Sequence, residues 1–84
     1  MRAYTVFLRQ EAASSMVEIK GNRKKAVEAF ISYLAENPFD EGDFCEPDDT
    51  GRVTFTKIIR DLAVTFFTDH ATCEIKILEV VQTP

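Results

Sequence analysis

The spacing of hydrophobic positions changes repeatedly along the chain, and each change marks an element. Over residues 4–8, Tyr4, Val6 and Leu8 alternate with Thr5, Phe7 and then Arg9, the period of two that turns one side of a strand toward a core. Over 11–20 the spacing becomes helical. Ala13, Met16, Val17 and Lys20 share a face, Glu11 stands in the first turn, and Gly21 is placed as the C-cap. Asn22 then caps a second helix, in which Val27, Phe30, Ile31 and Leu34 follow i, i+3, i+4, i+7 and form one apolar stripe. That helix ends at Asn37, because Pro38 lacks an amide hydrogen and biases the residue before it away from the α region.

The segment 40–49, DEGDFCEPDD, breaks both periods. It holds six carboxylates with a glycine and a proline, which predicts an acidic loop rather than a strand or helix. After the turn signal DDTG come three β-rich runs, 52–59, 62–68 and 72–81, split by Arg60-Asp61 and by Asp69-His70-Ala71. Separations this short predict an antiparallel meander. Val53, Phe55 and Ile59 share a face of the first run, Leu62, Val64 and Phe66 of the second, and Cys73, Ile75 and Ile77 of the third, while Thr54, Thr56, Glu74 and Lys76 point the other way. One sheet face is therefore covered and the other wetter. The cover is the stripe of the second helix, since neither a lone hairpin nor a lone helix pair of this size is stable in water. The expected fold is α+β, in the order β-α-α-β-β-β, with two helices packed on one face of a small, mainly antiparallel sheet.

Composition narrows this picture. Eighty-four residues, 45% of them hydrophobic, fit a single globular domain spanning 1–84, since a chain this short has only one core to build. No stretch reaches the ~18 apolar residues of a membrane helix. The apolar run 4–8 is shorter than a secretory core of about 7 to 15 residues, so the expected location is cytoplasmic. Cys45 and Cys73 match no metal spacing and read as free thiols. The formal net charge of −4 has the wrong sign for a protein that binds mainly by neutralising phosphates. There is no P-loop, dinucleotide fingerprint, nucleophile elbow or zinc motif, so no cofactor or metal is expected. The acidic segment lacks the glycine and the twelfth-position Glu of an EF-hand and reads as a solvated loop.

Candidate chemistry rests on a few cations and one histidine. Arg23, Lys24 and Lys25 occupy the first turn of the second helix, where the macrodipole disfavours cations by roughly 0.3 to 1 kcal/mol each. They serve either a phosphate or acidic-peptide contact or a solvated surface. Arg52 joins Lys57, Arg60 and Asp61 along a cationic sheet edge able to hold a phosphodiester, although edge charges also block unwanted strand pairing. His70, the single histidine, falls in a turn beside Asp69. It is an ordinary turn residue, or a general base if a partner tunes its pKa. The candidate catalytic residues are thus Lys57, Arg60 and His70, and the candidate nucleic-acid or partner contacts are Arg23, Lys24, Lys25 and Arg52. Exposed apolar edge strands make a homodimer a further expectation.

The order of elements, and the stretch VTFTKIIRDLAVTFFTDHATCEIKILEV above all, resembles the RelE/ParE superfamily of bacterial type II toxin-antitoxin toxins. The family's middle strand typically reads glycine, aromatic, arginine, two apolar residues and tyrosine, then an Asp-containing turn and an aliphatic last strand. The matching run here is Asp61, Leu62, Ala63, Val64, Thr65 and Phe66, with Asp69 in the turn and Ile75, Ile77 and Leu78 beyond it. Ala63 stands where ribonuclease members carry the arginine, and Phe66 replaces the tyrosine. The chain ends Val80-Val81-Gln82-Thr83-Pro84 without the family's Arg-containing tail. The resemblance implies a toxin-like protein held by a cognate antitoxin, acting by ribosome-dependent mRNA cleavage or on gyrase. The substitutions imply the alternative of a catalytically inactive RelE-like binding module.

Overall fold

The computed structural model describes residues 3–83; Pro84, part of the tail compared above, lies outside them. Its elements are β1 (Thr5–Leu8), α1 (Gln10–Glu18), α2 (Gly21–Glu36), β2 (Phe44–Pro47), β3 (Val53–Ile59), β4 (Leu62–Asp69) and β5 (Glu74–Gln82). The strands form one sheet in the order β1-β5-β4-β3-β2. Every neighbouring pair is antiparallel except β1 and β5. The expected α+β arrangement of two helices on a mainly antiparallel sheet is what the chain adopts.

Both helices cover the same sheet face because the links leave no other route. Arg9 alone separates β1 from α1, and its amide donates to the Ile77 carbonyl at 2.9 Å. Ile19 and Lys20, both extended, separate α1 from α2. The core beneath them joins Ala12, Met16 and Ile19 of the first helical unit, Val27, Phe30 and Leu34 of α2, Leu62, Val64 and Phe66 of β4, and Ile75, Ile77 and Val80 of β5. Phe30 meets Phe66 edge-on at 5.8 Å, and Phe66 meets Phe55 at 5.7 Å. Aromatic pairs of this kind add about 0.5–1.5 kcal/mol to the burial of their area.

Several local expectations are corrected by this packing. The buried residues of α1 are Ala12 and Met16, continued by Ile19 just past its end, and Val17 is 74% exposed. Both stripes satisfy helical spacing; the one-residue link at Arg9 sets the rotation. Gly21 does not cap α1. It opens α2 with φ +67, a left-handed conformation that glycine adopts without steric cost, and Lys20, not Asn22, is the N-cap. Leu8, expected inside, is 38% exposed at the end of β1. Val53 is 49% exposed at the start of β3, while Thr54 on the other face is buried, its hydroxyl donating to the Glu46 carbonyl at 3.1 Å. Cys73 belongs to the turn, with φ 57, and β5 begins one residue later.

The largest correction concerns 40–49, where the expected loop contains β2, an edge strand paired with β3. All of its residues are exposed, so it carries no burial periodicity that a sequence reading detects. Its carboxylates act on backbone: Asp40 Oδ1 accepts from the Gly42 amide at 2.7 Å, and Asp43 Oδ2 from the Ile58 amide at 2.8 Å. Gly42, at φ +65, lies so close to β3 that a Cβ there would sit 2.6 Å from the Thr56 carbonyl oxygen.

Phe30→Ala is expected to cost about 3–5 kcal/mol in denaturant melts, since it empties the bridge between α2 and β4; a loss below about 1 kcal/mol would mean that the stripe does not carry this core. Gly42→Ala is expected to cost at least about 2 kcal/mol from left-handed strain and backbone overlap, with the amide exchange of β2 and of its pairing partners in β3 accelerating first.

Candidate functional site

Among the described residues, no element covers the face opposite the helices. Alternation along β3, β4 and β5 assigns it Thr56, Thr65 and Glu79 in one cross-strand row, joined by Phe44 of β2, and Ile58, Ala63 and Val81 in the next. The 3.3 Å hydrogen bond between the Thr56 and Thr65 hydroxyls places them on this one face. A third row runs Phe67, Lys76, Phe7. A register shift between Thr65 and Phe66 leaves Leu78 unpaired in β5, a bulge of the kind that bends a strand and re-aims its side chains.

A cleft of about 420 Å³ crosses this face, lined by Arg9, Glu11, Glu46, Pro47, Asp48, Asp49, Thr54, Thr65, Leu78 and Glu79. Five carboxylates thus face one guanidinium, and Arg9 is already paired with Glu11 at 3.3 Å. Beside it, the Arg52 guanidinium lies 3.9 Å from the centre of the Phe67 ring and 3.2 Å from Asp48. This explains how Phe67 is buried on an otherwise open face. Asp48 Oδ1 accepts from the Thr50 hydroxyl at 2.6 Å and from the amides of Thr50 and Arg52 at 2.8 and 3.0 Å. These bonds, with the Thr50 hydroxyl foremost, hold its carboxyl down at about 2. Sequence reading missed this cleft, because its acids come from β5, α1 and a segment read as a plain loop.

The candidate cations are spread over the molecule. Lys57 lies on the helix-bearing side of β3, opposite Val64, and its ammonium is 3.6 Å from Asp43. Arg60 occupies the β3–β4 turn at φ 57, and His70 the turn at the far end of β4, an eight-residue strand, so the two stand roughly 25 Å apart at ~3.3 Å per residue. His70 stacks on Phe39 at 4.6 Å and 14°, and shares a 2.9 Å hydrogen bond through Nδ1 with the Tyr4 hydroxyl. Arg23 forms a two-point pair with Asp61, both bonds 3.0 Å, and Asp61 also accepts from Gln82 and Thr83. Lys24 and Lys25 form no ion pair among the described residues. Arg52 is bound to Asp48 and Phe67 as above. Ala63 stands in the open-face row between Ile58 and Val81, and Phe66 is fully buried.

These features define a class: an α+β domain with one helix-covered sheet face and one open, cleft-bearing face. No family profile and no curated protein matches the sequence. Solved structures do match. The RelE-RelB complex of the archaeon Pyrococcus horikoshii is similar at TM-score 0.80 and 15% identity, over 95% of this chain and 94% of that one. The RelBE toxin-antitoxin complex of Mycobacterium tuberculosis matches at 0.75 and 19%, over 95% and 98%. The isolated E. coli RelE toxin matches at 0.81 and 10%, over 98% and 86%. The fold is therefore the RelE fold, carried by a divergent sequence.

Asp48 provides a direct check on the cleft. A depressed carboxyl pKa contributes stability that is present above its ordinary value of 3.8 and lost as pH falls toward about 2. Carbon-detected NMR titration of Asp48 is expected to give a midpoint at about 2, and Thr50→Val is expected to move it upward. An ordinary midpoint in the unchanged protein would refute the assigned hydrogen bonds.

Proposed function

We propose that this chain is the toxin-like component of a type II toxin-antitoxin pair, bound by a cognate antitoxin. The observation that carries this reading is the RelE fold over nearly the whole chain, at TM-scores of 0.75 and 0.80 to RelE structures described as complexes with RelB or as toxin-antitoxin complexes. An antitoxin segment, extended or helical, has the helix surface and the sheet edges available to it. A toxin of this kind acting on ribosome-bound mRNA or on gyrase works in the cytoplasm.

A second reading, a catalytically inactive RelE-like binding module, is favoured by the residues themselves. Phosphodiester cleavage needs an acid or base near the 2′-hydroxyl and cations for the developing phosphorane charge. Lys57, Arg60 and His70 are too dispersed to meet on one phosphate, and the cleft of the open face presents carboxylates to any RNA. The field of such a lining repels a polyanion.

Inducing the chain in a bacterial host decides between the two. The toxin reading expects growth arrest relieved by co-expressing the antitoxin encoded beside it, with either translation or supercoiling failing first. Normal growth, translation and supercoiling at high expression would remove the toxin reading and leave the inactive module.

A further inference from the structure

We infer that the open sheet face is a docking surface for a cationic, amphipathic segment of a partner protein. The inference goes beyond the toxin-antitoxin reading and does not depend on it. Two adjoining hollows on this face share Arg9 and Leu78 as their boundary. One is the acidic cleft described above. The other, about 450 Å³, is walled by Phe7, Leu8 and Leu78, with Glu74 and Lys76 at its rim. Phe7 is 45% exposed on the open face, which no described element covers, and Leu8, paired with Ile77 at the end of β1, reaches the rim of the hollow at 38% exposed.

Charge complementarity selects the occupant. Glu46, Asp49 and Glu79 line the acidic hollow without an ion pair among the described residues, whereas Asp48 and Glu11 have Arg52 and Arg9 beside them. Unpaired carboxylates gathered around a recess repel one another, and the recess focuses their field outward. A Lys or Arg side chain entering it relieves that repulsion, while an apolar neighbour on the same segment seats against Phe7 and Leu78. An acidic segment or a nucleic acid meets like charge at the same place. The partner is therefore a peptide segment in which apolar and basic residues alternate closely.

The test uses the full chain with three fluorescently labelled probes: a short synthetic peptide of Leu, Lys and Arg, its Glu-substituted counterpart, and a single-stranded RNA oligonucleotide. Fluorescence anisotropy is expected to detect the cationic peptide alone. The Glu46→Gln, Asp49→Asn, Glu79→Gln triple variant is expected to weaken binding about tenfold or more, and Phe7→Ser to weaken it as well. The control variant Glu18→Gln, Glu28→Gln, Glu36→Gln, on the helices, is expected to leave it within about twofold. Amide shift perturbations in the unchanged protein are expected to map to β5, the β2–β3 turn and Phe7, which keeps the test decisive if a variant misfolds. Equal loss in both triple variants means attraction to net charge alone and overturns the proposal. So does RNA binding on this face, or sedimentation showing that a second copy of the chain occupies it.

Discussion

The architecture depends on the contact between α2 and the middle of the sheet, where Phe66 of β4 is wholly buried between Phe30 above and Phe55 beside it. Without that contact the sheet face would hold Leu62, Val64, Ile75 and Ile77 against water, and α2 would be an isolated amphipathic helix of a length that is marginal in water. Because β1, α1 and α2 are joined by links of one and two residues, the chain cannot divide its helices between the two faces. Covering one face well therefore leaves the other open, and the cleft lined by Glu46, Asp49 and Glu79 lies on that open face.

The uncovered face has been given a definite character by the residues of the β2–β3 turn and of β4. Phe67 is tolerated there because Arg52 lies over it, and Arg52 is held in turn by Asp48, whose carboxylate also closes the β2–β3 turn. The same acidic segment thus builds a turn, secures an edge strand and lines a cleft. On the helix side, Asp61 gathers Arg23, Gln82 and Thr83, so one cation at the unfavourable end of α2 has a local structural partner. An exposed pair of this kind contributes at most about 1 kcal/mol, and its larger effect is to fix where α2 begins relative to the β3–β4 turn.

Fold and chemistry point in different directions for a physical reason. The backbone arrangement shared with RelE structures is set by buried aliphatic and aromatic positions, which many sequences satisfy equally. The open face is under no such constraint. Ala63 lies in its exposed row and Phe66 in the core, and neither offers a group for proton transfer or phosphate binding. The carboxylates in the cleft reverse the sign of charge that an RNA-binding groove requires.

How much of this was legible beforehand depends on periodicity. The stripe of α2, the alternation of β4 and β5, and the break at Asn37-Pro38 follow from local sequence, because burial on one side writes a period of 3.6 or 2 into the chain. β2 wrote none, since all its residues are exposed, and the rotation of α1 was ambiguous because two overlapping stripes satisfy the same spacing. The parallel pairing of β1 with β5 and the meeting of Arg9, Glu46 and Glu79 in one cleft join residues far apart in the chain. Sequence alone determined which stretches carry a buried face and with what period. Only the tertiary structure decided which charges would meet on the face left open, because an exposed side chain's neighbours are set by strand order and turn geometry, not by its own preference for water.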